Sequence, residues 1–333
     1  VNARTMADSE TFSKDLKPGL KIQYLRLLYQ GTNGATSNTL AKLNGMVSKL
    51  EVVSGSEVLH SLSMRQEQAA NFFRHGVLPF QQLNSKAAGV VREEAIINFG
   101  RFLGDREYYL DTARWPNAQL NLTHALTISA TAGFATGTGV LTVIARLIED
   151  GAPPSRGYIQ SKQIANWTSL ASGRHDTDLP TDFPLVALQV HDLETTIEPD
   201  VDISNLKLSL DDDRFIPFDL STTQLLEHNI GMYGKAKQRM NFLNDTAVTW
   251  LSDLYGRVSA NLGPMGGTAK GGVSTAIAEQ IVTFMTTGDS GSLFINVFGH
   301  APHSALYYRF GNGIEPEDFL SMQGVGKAEL QAT

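Results

Sequence analysis

The sequence predicts an all-β chain built as two tandem sandwiches with short capped helices, and three observations carry that reading. Segments rich in β-branched and aromatic residues, with loose period-two alternation, recur along the 333 residues. Turn signals separate them: Asn33-Gly34, Gly137–Gly139, Ala152-Pro153-Pro154 and Asp289–Gly291. One stretch of strand, turn, strand and capped helix then occurs twice, almost half a chain apart. Many strands joined by turns favour a sandwich or barrel over a sheet with crossover helices.

Taken in order, the first expected strands are Leu20–Tyr29, Val47–Val53, Glu94–Phe102, Gln119–Thr127 and Val140–Ile148. Tyr158–Leu170, Phe183–Val190, Ile203–Leu210, Ile277–Met285, Leu293–Phe298 and Ala305–Phe310 follow. Helix Ser63–His75 is expected from the capping box Ser63-x-x-Gln66. There the Ser hydroxyl takes an orphan amide and Gln66 returns a bond to the Ser63 N–H. Ser221–Ile230 repeats the device as Ser221-x-x-Gln224. Two more helices are expected over Asn38–Leu43 and Asp245–Leu262, the second ending at Gly263-Pro264.

Aligning Val47 with Ile203, an offset of 156, brings Leu50 to Leu206, Val52 to Leu208, Leu59 to Phe215 and Leu62 to Phe218. The capping serines are 158 apart, so one two-residue insertion suffices. The length agrees, because a single core stops growing at roughly 250–300 residues. The expected division is an arm over 1–17, a first domain over 18–153 and a second over 154–333. The Pro- and Gly-bearing stretch Asp150–Arg156 serves as the linker.

Composition excludes more than it assigns. With 42% hydrophobic and 18% charged residues, a wholly disordered chain is ruled out. With no cysteine there is no disulfide scaffold, thiolate metal site or cysteine nucleophile. The net charge is −7, and Lys14, Lys17, Lys21 and Arg26 are spread out, so no direct nucleic-acid binding is expected. No apolar run reaches membrane-span length, and Val1-Asn2-Ala3-Arg4 is not followed by the apolar core of a signal peptide.

The motifs yield no chemistry. Gly263–Gly272 has glycines at phosphate-loop spacing, Gly266 and Gly271, but Gly272 and Val273 stand where Lys and a hydroxyl are needed. A surface loop is expected there. His300-Ala-Pro-His303 lacks the helix and the glutamate of a metalloprotease site, so turn or interface histidines are expected. Asp200-x-Asp202-x-Ser204 begins like a calcium loop, but Asn205 and Asp211 stand where Gly and Glu belong. Asp211–Asp213 is expected as a solvated hairpin turn. Glu93-Glu94 and Glu315/Glu317/Asp318 are expected as exposed acids rather than glycosidase pairs. The glycosylation patterns at Asn121, Asn166 and Asn244 are expected to be unused. No catalytic, cofactor-binding or metal residue is assigned, and no cofactor is expected.

The residues resemble one family. Two tandem domains, each with a capped helix between strands, look like the double jelly-roll major capsid proteins of tailless icosahedral viruses of bacteria and archaea, related in architecture to the adenovirus hexon. The most telling stretch is Ile96–Leu126, with Phe99-Gly100, then Leu110-Asp111-Thr112, then Trp115–Leu122. The resemblance spans roughly Leu20 to Phe310. It implies two eight-stranded jelly rolls per chain, a pseudo-hexagonal homotrimer, self-assembly into a virion shell, and no enzymatic activity. It also implies minor capsid or penton proteins and an internal viral membrane as partners, synthesis in the host cytoplasm, and arms at Val1–Lys17 and after Phe319. The alternative from another class is a two-domain β-sandwich carbohydrate-binding or carbohydrate-active protein using Trp115, Trp167 or Trp250.

Overall fold

The structure is a computed structural model. It describes residues 3–36, 38, 40–149, 151, 153–168, 173–193, 198–243, 248–266, 276–278, 281–284 and 292–333.

The first half contains β1 (Arg4–Thr5), β2 (Ser9–Asp15), β3 (Lys21–Thr32), α1 (Leu43–Met46), β4 (Val47–Ser54), β5 (Glu57–Leu62), α2 (Met64–His75), β6 (Gln81–Asn84), β7 (Val90–Asn98), β8 (Leu110–Asp111), β9 (Ala118–Ala125) and β10 (Val140–Leu147). The second half contains β11 (His175–Asp178), β12 (Ala187–His191), α3 (Pro199–Asp202), β13 (Asn205–Leu210), β14 (Phe215–Ser221), α4 (Thr222–Tyr233), β15 (Ala236–Leu243), β16 (Val248–Leu251), β17 (Leu254–Tyr255), β18 (Ser259–Gly266), β19 (Ala276–Ala278), β20 (Ile281–Phe284), β21 (Ser292–Gly299), β22 (Ala301–Pro302), β23 (Ala305–Arg309) and β24 (Ala328–Ala332).

Two four-stranded sheets have the same plan: β2-β9-β4-β5 in the first half and β11-β24-β13-β14 in the second. Behind them, β3 pairs with β7, and β12 pairs with β23. The repeat is therefore one of topology. Its register also locates the insertion. Leu50 faces Leu62 across β4–β5, and Leu206 faces Leu220 across β13–β14. Leu62 thus corresponds to Leu220, not to Phe218. The extra two residues sit in the hairpin turn, where Gly55-Ser56 (Gly55 φ 61°) is replaced by Asp211–Arg214. Asp211, Asp212 and Asp213 all have positive φ there, a conformation that Asp tolerates better than bulkier residues.

Local sequence explains the layers. Along β3, Leu25, Leu27 and Tyr29 are buried while Arg26 points outward. Along β9, Ala118, Leu120, Leu122 and His124 face inward at every second position. Both capping boxes form. Ser63 Oγ accepts from Gln66 N and Gln66 Oε1 accepts from Ser63 N, and Ser221 and Gln224 do the same. Gly76, at φ 75°, ends α2 by donating to Phe72 O.

The two halves share a sheet. Its order is β1-β10-β3-β7-β6-β15-β21-β18, and the crossing point is the parallel pair Met240–Leu83 and Asn241–Asn84. The larger core follows this continuity, since Met240, Ile295, Val297 and Tyr307 join the first half's Leu25, Phe72 and Ile97.

Other expectations are corrected. The described part of the expected helix Asp245–Leu262, from Val248 on, is not helical. Its Val, Thr, Trp and Tyr residues are strand formers, Gly256 and Arg257 have positive φ, and the described part forms β16, β17 and the start of β18. The expected helix Asn38–Leu43 is instead a single turn at Leu43–Met46. Tyr158–Leu170 forms no strand over its described residues; residues 155–163 bond in turn to Tyr109, Phe99 and Ser61 and strap the first roll. Residues 4–15, expected as an arm, form β1 and β2, with Phe12 buried against β9. The end of the chain is no arm either. Ala328, Leu330 and Ala332 make β24 a central strand, paired on both sides. Gly263–Gly266 belongs to β18 rather than a loop, while residues 267–272 lie outside the described ones.

Candidate functional site

Among the described residues, a dense polar cluster lies where the halves meet. Lys42, just before α1, places Nζ 2.7 Å from Asp253 Oδ1. Asn44 Nδ2 donates to Asp253 Oδ2 at 3.0 Å and to Glu93 Oε2 at 2.8 Å. Gln68 of α2 donates to Glu93 Oε2 at 3.3 Å and to Glu94 O at 2.9 Å. From the second half, Gln238 of β15 and Asp253 exchange two bonds of 2.9 Å, side chain to side chain and backbone to side chain. His303 N donates to Asp253 O at 2.6 Å. Because the Gln68 amide nitrogen is already donating, its Oε1 accepts, and His303 Nε2 donates to it at 2.8 Å. His191 Nδ1 in turn donates to His303 O at 3.2 Å.

Backbone geometry positions these groups. His303 and Ser304, at φ 54° and 55°, turn the chain between β22 and β23 and bring the imidazole under α2. Gly45 leaves room for Arg65, since a Cβ there would stand 2.7 Å from Arg65 Nη2. Arg65 Nε donates to Asn44 Oδ1 at 3.2 Å.

The cluster is buried, and its acids titrate apart. Burial, followed by the charge of Asp253, pushes Glu93 up to about 7. Burial also opposes ionisation of Asp253, but the charges of Lys42 and Arg65 hold its carboxyl well below the usual range. Burial pulls His303 down to about 3 and His191 down to about 4, so both imidazoles are neutral at pH 7. The cluster is a charge-balanced joint. A small cleft beside it is lined by Lys42 and Glu93 of the cluster together with Leu83 and Met240.

The sequence-level candidates separate. Glu93 and Glu94 are buried, not exposed. Glu93 sits in the joint, and Glu94 binds the Arg26 guanidinium through both carboxylate oxygens. His300 Nδ1 lies 2.6 Å from Gly234 O while His303 joins the cluster, so the pair shares no ligand. Asp200 lies 3.8 Å from Arg257, and no group of three metal-ligating side chains forms among the described residues. Glu315, Glu317 and Asp318 are surface acids around a single 3-10 turn. Trp115 packs edge-on to Tyr158 and Trp167 stacks on His175; the Trp250 side chain lies outside the described ones. Asn121 is in the β2-β9-β4 ladder, Asn166 is in an irregular exposed segment, and Asn244 lies outside the described residues. Lys42, Asn44, Gln68, Gln238 and Asp253 carry no local motif, so only their convergence identifies them.

No family model matches the sequence, and no curated protein does. Solved structures do. The PBCV-1 virus capsid is 10% identical with a TM-score of 0.52, over 99% of this chain and 83% of that one. The crystal structure of the STIV MCP is 11% identical with a TM-score of 0.48, over 90% and 97%. The PBCV-1 likeness and the duplicated sheet order agree: the chain adopts the double jelly-roll fold, the fold of the PBCV-1 capsid.

Proposed function

We propose that this chain is a major capsid protein, a building block that self-assembles as pseudo-hexagonal trimers into an icosahedral shell. The observation that carries the proposal is the duplication. Two rolls of one topology, joined through a shared sheet, give a single chain two similar lobes. Three such chains around an axis would make six lobes, the shape that tiles a hexagonal lattice. The fold shared with the PBCV-1 capsid supports the same reading. Large apolar side chains such as Val77, Phe183, Val201 and Met232 are about two-thirds exposed or more, which leaves apolar surface for a neighbouring copy to cover. The role is structural rather than enzymatic, and the chain works in the virion. Minor capsid proteins and an internal membrane are the further partners of this reading. This reading divides the chain near residue 153, with residues 155–163 crossing back over the first roll before the second begins.

The test is light scattering on purified protein, with negative-stain microscopy. Particles of three times 36.2 kDa, hexagonal in outline, or closed shells are expected. A monomer at every salt and protein concentration overturns the proposal.

A further inference from the structure

A second cleft opens between the rolls, lined by Arg74, Arg101, Ile159, Tyr307 and Arg309. Its three arginines come from three places: the last turn of α2, the turn after β7, and the end of β23. Arg101 is already occupied. Its Nε donates to Asp105 at 2.7 Å, its Nη2 to Glu107 at 2.8 Å and its Nη1 to Ile314 O at 3.1 Å. Arg74 is only half satisfied, and Arg309 meets the Tyr233 side chain but no acid among the described residues. Arg74 Nη2 donates to Ser161 Oγ at 2.7 Å, but its Nη1 is buried with no hydrogen-bond partner. Arg309 lies 6.0 Å from the centre of the Tyr233 ring, hydrogen-bonds that side chain, and forms no ion pair among the described residues, so most of its donors remain available. Gly313, at φ 68°, lets the following loop close over the Arg309 stem, because a Cβ there would stand 2.5 Å from Arg309 Cδ. A buried guanidinium N–H without an acceptor is costly, and the planar fork of Arg matches carboxylate and phosphate oxygens.

We propose that this cleft binds a compact oxyanion, a phosphate or carboxylate group, held between Arg74 of the first roll and Arg309 of the second. The bound anion clamps the rolls together, and its binding does not depend on the capsid reading.

The test is thermal unfolding of the purified full chain in sodium phosphate, sodium acetate and sodium chloride at matched pH and ionic strength. Phosphate or acetate is expected to raise Tm saturably, by roughly 2 °C or more over chloride. A rise with phosphate alone assigns a phosphate group; a rise with both assigns carboxylates as well. Arg74→Gln and Arg309→Gln should each abolish the rise while keeping the circular dichroism of the parent. If either fails to fold, Arg74→Lys, which keeps the charge and loses the fork, should weaken the rise. Equal Tm in all three salts, or a rise that persists in the variants, overturns the proposal.

Discussion

Lys42 and Asp253 stand 211 residues apart in the chain and meet as a buried ion pair 2.7 Å long, one partner from each roll. Removing one partner leaves the other charge buried and uncompensated. Asp253→Asn or Lys42→Met should therefore cost about 3–5 kcal/mol, measured by urea unfolding. The double variant Lys42→Met/Asp253→Asn should recover part of that loss, and a double-mutant cycle with additive costs would remove the pair from the account of the joint.

Glu93 gives the joint a pH dependence of known sign. Its folded value, about 7, lies above the ordinary 4.5, so the native state holds a proton that the unfolded chain releases. Its contribution is complete below pH 4.5 and is lost as pH rises to about 7. The buried His303 and His191 act oppositely. Their values of about 3 and about 4 lie below the ordinary 6.5, so their contribution is present above pH 6.5 and lost as pH falls toward those values. Glu93→Gln keeps an acceptor for Asn44 and Gln68 and removes the first effect. Between pH 5 and 8 it should lose less stability than the parent, as read from urea midpoints; parallel profiles would show that Glu93 does not set this slope.

Phe73 of α2 stacks on Tyr307 of β23, with ring centres 4.8 Å apart and planes within 5°, and meets Tyr233 edge-on. Phe73→Ala empties a buried site that both rolls line. A loss of about 3–5 kcal/mol is expected in equilibrium unfolding, together with faster proteolysis in the 155–163 strap. A loss under 1 kcal/mol would mean that this stack does not hold the rolls together.

The two capping serines make a matched pair. Ser63→Ala and Ser221→Ala should each cost about 1 kcal/mol, because each removes the same bond to an N3 amide. Calorimetry on both variants checks it. Unequal costs would show that the two copies have diverged in how they use the cap.

The legible features were those that reside in a few neighbouring residues. The capping boxes, the alternation of β3 and β9 and the repeat around Leu50 and Leu206 were readable because period-two burial and N-caps act within one element. Strands without such a pattern escaped. β2, with Phe12 as its single buried side chain, and β24, with alternate small alanines, resembled arms. The Asp245–Leu262 stretch reads as a helix from sequence because a short apolar run fits a helix or a strand equally well until a partner strand is known.

By itself the sequence determined an all-β chain with two copies of one strand–turn–strand–helix unit, since these follow from local patterning and caps. It did not determine that the insertion falls in the Asp211–Arg214 turn, because register is fixed by pairing across strands. Nor did it determine that Glu93, Asp253 and His303 share one buried joint, or that Arg74 and Arg309 face one cleft. Those side chains come from distant segments, and only the packing of roll against roll brings them together.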